Sequence, residues 1–200
     1  IGLWRWLATG WYAPESPAPR RILPLIPFAV AHGLVWGGLA WRIGTRPTPY
    51  AVLPAYATFG TLALALSWTD LDVHRLPVRL TRPGAIALTV LIAGAAIWER
   101  DVGLLGRALL FGAAMWLLFI AVALIAAGAL GYGDVTLAGI IGLVLGPAGW
   151  ATVLSAVLLM FVVAGVGAVL LLVTRRANRT TRIAFAPSMV LGALIALAVT

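Results

Sequence analysis

Long apolar runs separated by short polar segments dominate the chain. A stretch of about 20 apolar residues is long enough for a helix to cross the hydrocarbon core of a bilayer, which is about 30 Å thick. The pattern predicts an all-α, polytopic helical bundle in a membrane, with about six to seven transmembrane helices. The apolar runs lie at 22–41, 50–69, 84–98, 104–130, 135–146, 149–173 and 183–199.

The first 21 residues depart from this pattern. Residues 1–12 are rich in tryptophan but too short to span, and residues 13–21 contain three prolines and two arginines. We expect an N-terminal interfacial segment and linker over 1–21, followed by one membrane domain over 22–200. The chain begins at Ile1 rather than at a methionine, which is compatible with a truncated N-terminus.

The fifth run, 135–146, is the least certain span. A helix rises about 1.5 Å per residue, so a run of this length reaches only about 18 Å. It is expected either to form a short span in a thinned region or to continue, kinked, past Pro147.

Composition supports a membrane protein and excludes several kinds of site. Hydrophobic residues make up 62% of the chain and charged residues 10%, against about 45–50% and 25% in soluble domains. All 14 basic residues are arginine, and the net charge of +8 indicates topology and contact with the lipid bilayer rather than with nucleic acid. Cysteine is absent and the two histidines are far apart, so no metal site is expected.

The distribution of arginine predicts which side of the membrane each loop occupies. If every run spans, nine arginines fall on one side and four on the other, leaving Arg5 aside. The arginine-rich side is expected to be cytoplasmic, and the same alternation puts Asp70, Asp72 and Asp134 there. The nine are Arg20, Arg21, Arg75, Arg79, Arg82, Arg175, Arg176, Arg179 and Arg182, and the four are Arg42, Arg46, Arg100 and Arg107.

Three of the six acidic residues directly adjoin apolar runs. Asp70 and Asp72 end the second run, and Asp134 precedes the fifth. Ionisable groups at such positions are costly and indicate function. The alternative is that they reach the headgroups or pair with Arg75 or Arg79.

Two neighbouring aspartates can hydrolyse an amide without a metal or a nucleophilic side chain. They share a proton, so that one acts as base and the other as acid on a bound water. Because Asp134 opens a predicted helix and Asp70 closes one, the helix dipoles favour Asp134 as the base and Asp70 as the acid. Gly131 and Gly133 permit positive φ and the close approach of another chain.

Three segments together resemble the type IV prepilin peptidases. DLDVHRLPVRLT, with Asp70 and Pro77, is similar to their first aspartate motif, and GYGDVTLAGIIGLVLG, with Asp134, to their Gly-x-Gly-Asp motif. IAFAPSMVLGA (183–193) is similar to their C-terminal segment, so that the resemblance covers about 55–195. Thr136 and Val78 depart from the family pattern, where lysine and an Asp or Asn are usual.

The resemblance implies a membrane aspartic endopeptidase with Asp70 and Asp134 as its catalytic pair. Asp72, Gly131, Gly133 and Pro77 would support them. The substrate would be a prepilin or pseudopilin-like protein, cut after its basic leader at the cytoplasmic face of the inner membrane, for type IV pilus assembly or secretion. No cofactor is needed for hydrolysis, and S-adenosylmethionine would be used only if the methylation known in longer family members is retained.

Two other functions are weighed against this one. Presenilin-type proteases share Gly-x-Gly-Asp, but their Tyr-Asp and Pro-Ala-Leu elements are missing here. A non-proteolytic transporter or proton relay would use the same acids, although transporters usually bury them near the midplane of the bilayer.

Overall fold

The computed structural model describes residues 49–125, 130–174 and 184–200, together with 32–39 and the single positions 7, 11, 30 and 41. Residues 32–39 are helical, and a 3₁₀ turn at Tyr50–Val52 precedes the first of the longer helices. Six α-helices follow within the described residues: α1 Leu53–Val73, α2 Val78–Trp98, α3 Val102–Ile125, α4 Tyr132–Leu145, α5 Trp150–Val173 and α6 Ala186–Val199.

The predicted all-α, polytopic membrane bundle is confirmed. Four of these helices (α1 with its preceding turn, α2, α3 and α5) are long and apolar enough to cross a membrane, and α4 and α6 are shorter apolar helices. No strand occurs in the described ranges. The predicted boundary at 21/22 lies outside the described residues.

Successive helices run in opposite directions. The Thr200 hydroxyl at the end of α6 donates to the Thr152 hydroxyl at the start of α5, at 2.7 Å. At the other end of the bundle, the first residue of α6, Ala186, bonds to Asp70 in the last turn of α1. The end of α1, the start of α4 and the start of α6 therefore lie at one end of the bundle, which we call the site end. Most of the arginines used for the charge count lie outside the described residues, so their cytoplasmic placement stays a prediction.

Helix α4 extends from the site end towards the opposite end. Its 14 residues rise about 21 Å, and Gly146, just after it, packs on the backbone of Arg107 near the start of α3. The helix does not continue past Pro147: it ends at Leu145, and a 3₁₀ turn over Gly146–Ala148 leads to Gly149. Gly149 has φ 105°, a conformation that glycine adopts without strain, and α5 begins after it.

Two pairs of glycines are spaced four residues apart, a pattern that permits close helix packing, and they behave differently. A Cβ on Gly142 would overlap the Phe111 carbonyl oxygen, and one on Gly146 the Arg107 carbonyl oxygen, so α3 and α4 are in backbone contact. Gly33 and Gly37 have the same spacing, but no other described residue lies within 4 Å of a Cβ built on either. Spacing alone does not distinguish a helix interface from an open face.

The aromatic residues near the ends of the apolar runs have two kinds of environment. Trp68 is only 3% exposed and lies in the core, whereas Tyr50, Trp98 and Trp150 are 67–82% exposed, as residues that anchor a helix at the membrane interface are.

Helix α2 begins before the apolar run at 84–98. Residues 78–83 form its first turns, because the Pro77 carbonyl accepts the N–H groups of Leu80 and Thr81 and begins the helix.

Candidate active site

Asp70 lies in the last turn of α1, and the turn that follows is built around it. The Asp70 carbonyl accepts the His74 N–H at 2.9 Å, and His74 Nδ1 lies 2.9 Å from the same oxygen. His74 has left-handed backbone angles (φ 50°, ψ 40°), which end the helix. Pro77 then caps α2. Asp70 is consequently held on rigid backbone, with its side chain directed into the bundle and 5% of its surface exposed.

The Asp70 carboxyl contacts the beginning of α6. Its Oδ2 accepts the backbone N–H of Ala186 at 2.9 Å. The first N–H groups of a helix have no partner within the helix and carry the positive end of its dipole. A carboxylate oxygen is therefore a well-matched acceptor at this position.

Three aromatic rings fix the beginning of α6. Phe185, immediately before Ala186, has its ring centroid 6.5 Å from that of Phe119 on α3 and 6.0 Å from that of Phe161 on α5. Phe119 and Phe161 stack at 6.0 Å. These separations are typical of favourable aromatic pairs, and they tie the N–H that reaches Asp70 to two neighbouring helices.

Asp134 lies in the first turn of α4. Its Oδ2 accepts the N–H of Gly131, the N-cap residue, at 3.2 Å, while its own N–H donates to the Gly131 carbonyl at 3.0 Å. This exchange satisfies one free donor at the helix start. The carboxyl is partly buried.

Gly133 brings the two motifs into contact. A Cβ built on it would lie 2.9 Å from Leu76 Cβ, so the first turn of α4 packs directly on the loop after α1. The neighbour at Gly133 is Leu76 of this chain, and the predicted approach of another chain stays a prediction. The predicted use of positive φ is wrong for both glycines, because Gly131 has φ −76° and Gly133 is helical.

The structure brings the two predicted catalytic aspartates together at the site end. Asp134 is in the first turn of α4, which packs on Leu76 in the loop directly after Asp70, although the two aspartates are 64 positions apart in the chain. Pairing of either one with Arg75 or Arg79 is not found: within the described ranges the ion pair observed joins Asp101 to Arg107. Both acids are held by backbone N–H groups instead.

The structure removes the helix-dipole argument that made Asp134 the base and Asp70 the acid. That argument assumed that only Asp134 lies at a helix N-terminus, whereas Asp70 lies at the N-terminus of α6 as well as at the C-terminal end of α1. Helix dipoles therefore act favourably on both carboxylates, and they do not by themselves choose the base.

The four supporting residues have different positions. Gly131 and Gly133 shape the Asp134 turn, and Pro77 begins α2. Asp72 is two residues after Asp70 on the same helix, a spacing at which side chains do not face each other, and it is half-buried. Its side chain therefore does not lie on the same face of α1 as the side chain of Asp70.

An apolar groove of about 410 Å³ lies between residues 34–39, α1 and α6, and it begins at chain neighbours of Asp70 and Ala186 rather than at Asp70 itself. Near Asp70 it is lined by Ser67, Leu71 and Pro187, and farther along α6 by Leu194 and Ala198. The buried Ser67 hydroxyl has no hydrogen-bond partner in the part of the chain that the structure describes. The groove follows α6 for about 16 Å from the site end.

Metal ligands do not accumulate at the site. Among the described residues, no three histidine, aspartate or glutamate side chains come together in a way that would hold an ion. Hydrolysis without a metal or cofactor stays a prediction from the sequence.

Two contributors to the site were not identified from the sequence. Ala186 acts through its backbone N–H, which no side-chain pattern reveals, although the Phe-Ala-Pro segment containing it had been noticed. Leu76 contacts Gly133. The lack of a side chain on glycine indicated that another segment packs closely there, but not which residue makes the contact.

Comparison with known proteins agrees with the motifs. No curated protein and no solved structure shows a significant match to the chain. The sequence model of the type IV leader peptidase family matches residues 57–196, a range that contains both aspartates, the loop after α1 and the start of α6. The chain therefore belongs to the type IV leader peptidase family.

Proposed function

We propose that this chain is an aspartic endopeptidase that removes the basic leader of type IV prepilin-like proteins at the cytoplasmic face of the membrane, with Asp70 and Asp134 as its catalytic pair. The observation that carries the proposal is the meeting of these two carboxylates at one end of the bundle, each bonded to a backbone N–H and neither neutralised by an arginine in the described residues.

Such a pair supports amide hydrolysis by a simple proton exchange. One carboxylate takes a proton from water while the water oxygen attacks the carbonyl carbon, and the partner carboxyl gives its proton to the carbonyl oxygen. The resulting tetrahedral diol then breaks its C–N bond as the protonated carboxyl donates its proton to the departing nitrogen and the other carboxylate takes a proton from one of the diol hydroxyls. The two side chains finish with one shared proton, as they began.

The position of the site supports a substrate that is half polar and half apolar. A prepilin-like protein has a short basic leader followed by a hydrophobic helix, and glycine before the scissile bond leaves the backbone extended and accessible. The groove beside Asp70 is apolar and is suited to an apolar helix laid along α6. We therefore expect the leader on the polar side of the dyad and the helix in the groove.

The direct test is cleavage by the purified chain in detergent. The substrate carries a basic leader, a glycine and a hydrophobic helix, and mass spectrometry locates the cut and any added methyl group. We expect one cut after the glycine, lost in Asp70→Asn and in Asp134→Asn. The proton relay would be supported instead if the substrate stays uncut and the chain collapses a proton gradient across proteoliposomes in a way that requires Asp70 and Asp134.

A methyl group on the new N-terminus, seen only when S-adenosylmethionine is supplied, would extend the activity to N-methylation. Cleavage without methylation would restrict it to the peptidase reaction.

A further inference from the structure

We propose that the backbone N–H of Ala186 is the positioning group for the Asp70 carboxylate, so that the start of α6 is a third structural part of the active site. This inference rests on the proposed function, because it names how one member of the proposed catalytic pair is held. Ala186 is a positioning residue: it acts through Asp70.

The geometry gives the N–H a specific task. It lies 2.9 Å from Oδ2 of Asp70, a length typical of a charge-assisted hydrogen bond. Committing Oδ2 to this donor fixes the rotation of the carboxyl, which leaves the other oxygen to share a proton or to bind water. No ion pair restrains the Asp70 side chain within the described residues, so its orientation depends on backbone N–H groups at the start of α6, where Ala186 donates at 2.9 Å and Phe185 lies beside it.

The surrounding packing makes the donor rigid. Ala186 is fully buried, and the preceding Phe185 is held between rings from α3 and α5. The hydrogen bond spans 116 positions of sequence, so it connects the last helix of the family match to the first motif. A displacement of a catalytic group by about 1 Å can reduce a rate about 100-fold, and this arrangement prevents such a displacement.

The contrary interpretation is that this bond only satisfies a buried polar group, as most buried polar atoms are satisfied. In that case its removal would lower stability and leave turnover unchanged. If the bond positions Asp70, its removal lowers kcat while KM stays the same, because substrate binding does not depend on the rotation of the carboxyl.

The test replaces the Ala186 amide by an ester. Cell-free synthesis of the full chain with lactic acid at position 186 removes the N–H and keeps the side chain. Ala151, in the first turn of α5 at the opposite end of the bundle, provides the matched control with the same replacement. Hydrogen bonds to charged groups are among the stronger ones in proteins, so we expect kcat for the prepilin-like substrate to fall at least about tenfold at position 186, with KM within about twofold.

Genetic variants give the same answer if the ester chain does not fold. Ala186→Pro lacks the same N–H, and proline is accepted in the first turn of a helix. Ala186→Gly keeps the N–H, and its kcat should stay within about twofold of the wild type. Ala151→Pro is the corresponding control.

The outcomes separate the two proposals. If the wild-type chain does not cleave, the proposed function fails. If it cleaves, and both the ester and Ala186→Pro retain wild-type kcat, the positioning role alone is refuted. A fall in kcat at position 186, without one at position 151, supports it.

Discussion

The carboxylates at the two ends of the bundle differ in burial and in hydrogen-bond partners. At the site end, Asp70 is buried, Asp134 is partly buried, and each accepts a backbone N–H. At the other end, the Asp101 side chain is 48% exposed, caps the Gly103 N–H at 2.8 Å and pairs with Arg107 at 3.2 Å. Asp101 has a neutralising partner and is accessible to water, whereas the partners of the site-end acids within the described residues are backbone N–H groups.

This difference indicates what each carboxylate is for. An exposed acid with a counter-ion is compatible with a purely structural role, as a helix cap and a weak ion pair. Two acids held close together without a counter-ion would cost stability if they served structure alone, since like charges repel and buried charges lose hydration. The contrast predicts large effects on activity at one end of the bundle and small effects on stability at the other.

The largest effect is expected from removing either site-end acid. Asp70→Asn and Asp134→Asn should each lower kcat/KM for the prepilin-like substrate by at least about 10³-fold, because each removes a proton-transfer group. Asp72→Asn, which changes a neighbouring acid off the Asp70 face, serves as the control and should stay within a few-fold. Cleavage retained in either Asp70→Asn or Asp134→Asn would contradict the proposal that both site-end acids are catalytic.

The next effect tests the contact that joins the two motifs. In Gly133→Ala the new Cβ would meet Leu76 Cβ at 2.9 Å, so the first turn of α4 must move away from the loop after α1. We expect kcat/KM to fall about 10- to 100-fold, since a displacement near 1 Å at a catalytic group has an effect of this size.

Two companion variants make this test specific. A Cβ on Gly131 would lie 3.5 Å from Asp134 Oδ2, an ordinary contact, so Gly131→Ala should change kcat/KM only a few-fold. Leu76→Gly, which removes the Cβ that the new methyl group would meet, should recover part of the loss when added to Gly133→Ala. Equal losses in Gly131→Ala and Gly133→Ala, with no recovery, would mean that the Leu76 contact is not the cause.

The sequence predicted the site end better than it predicted local backbone. Apolar runs of membrane length and alternating loops were enough to bring Asp70 and Asp134 to one end, because helices that cross a bilayer have few other arrangements. The hydrogen bond from Ala186 was not predictable in the same way. It involves a backbone atom, and only the packing of Phe185 against two other helices determines where that atom lies.

Helix ends were predicted poorly for a related reason. Polar and proline residues at 70–83 interrupt the apolar pattern, yet α1 continues to Val73 and α2 begins at Val78. Hydropathy reports where lipid contact ends, whereas hydrogen bonding to the Asp70 and Pro77 carbonyls determines where the helices end. The two boundaries need not coincide at a membrane surface.

A moderate effect is expected from filling the groove beside the proposed dyad. Ala198 lines its far end, about 18 Å along α6 from Ala186. Ala198→Trp should raise KM about three- to tenfold for a substrate that contains the hydrophobic helix, through lost contact area. It should leave a short peptide that ends just after the scissile bond unaffected.

Val166 on α5 is 55% exposed, and Val166→Trp is the matched control for adding a large side chain. A rise in KM in both tryptophan variants would indicate a general disturbance of the bundle. No rise in Ala198→Trp would remove the groove from the proposal and leave the dyad untouched.

The smallest effect is expected at the opposite end, and it separates the two functions of Asp101. Asp101→Asn keeps an oxygen that can accept the Gly103 N–H and loses only the ion pair to Arg107, so the free energy of unfolding should fall by less than about 1 kcal/mol. Asp101→Ala also loses the cap, which costs about 0.5–2 kcal/mol. Thermal unfolding in detergent should therefore rank wild type, Asp101→Asn and Asp101→Ala in that order, while kcat/KM stays within about twofold in both variants. A loss of cleavage comparable to that of Asp134→Asn would show that the two ends are not independent, and that burial and a missing counter-ion do not mark the functional acids in this bundle.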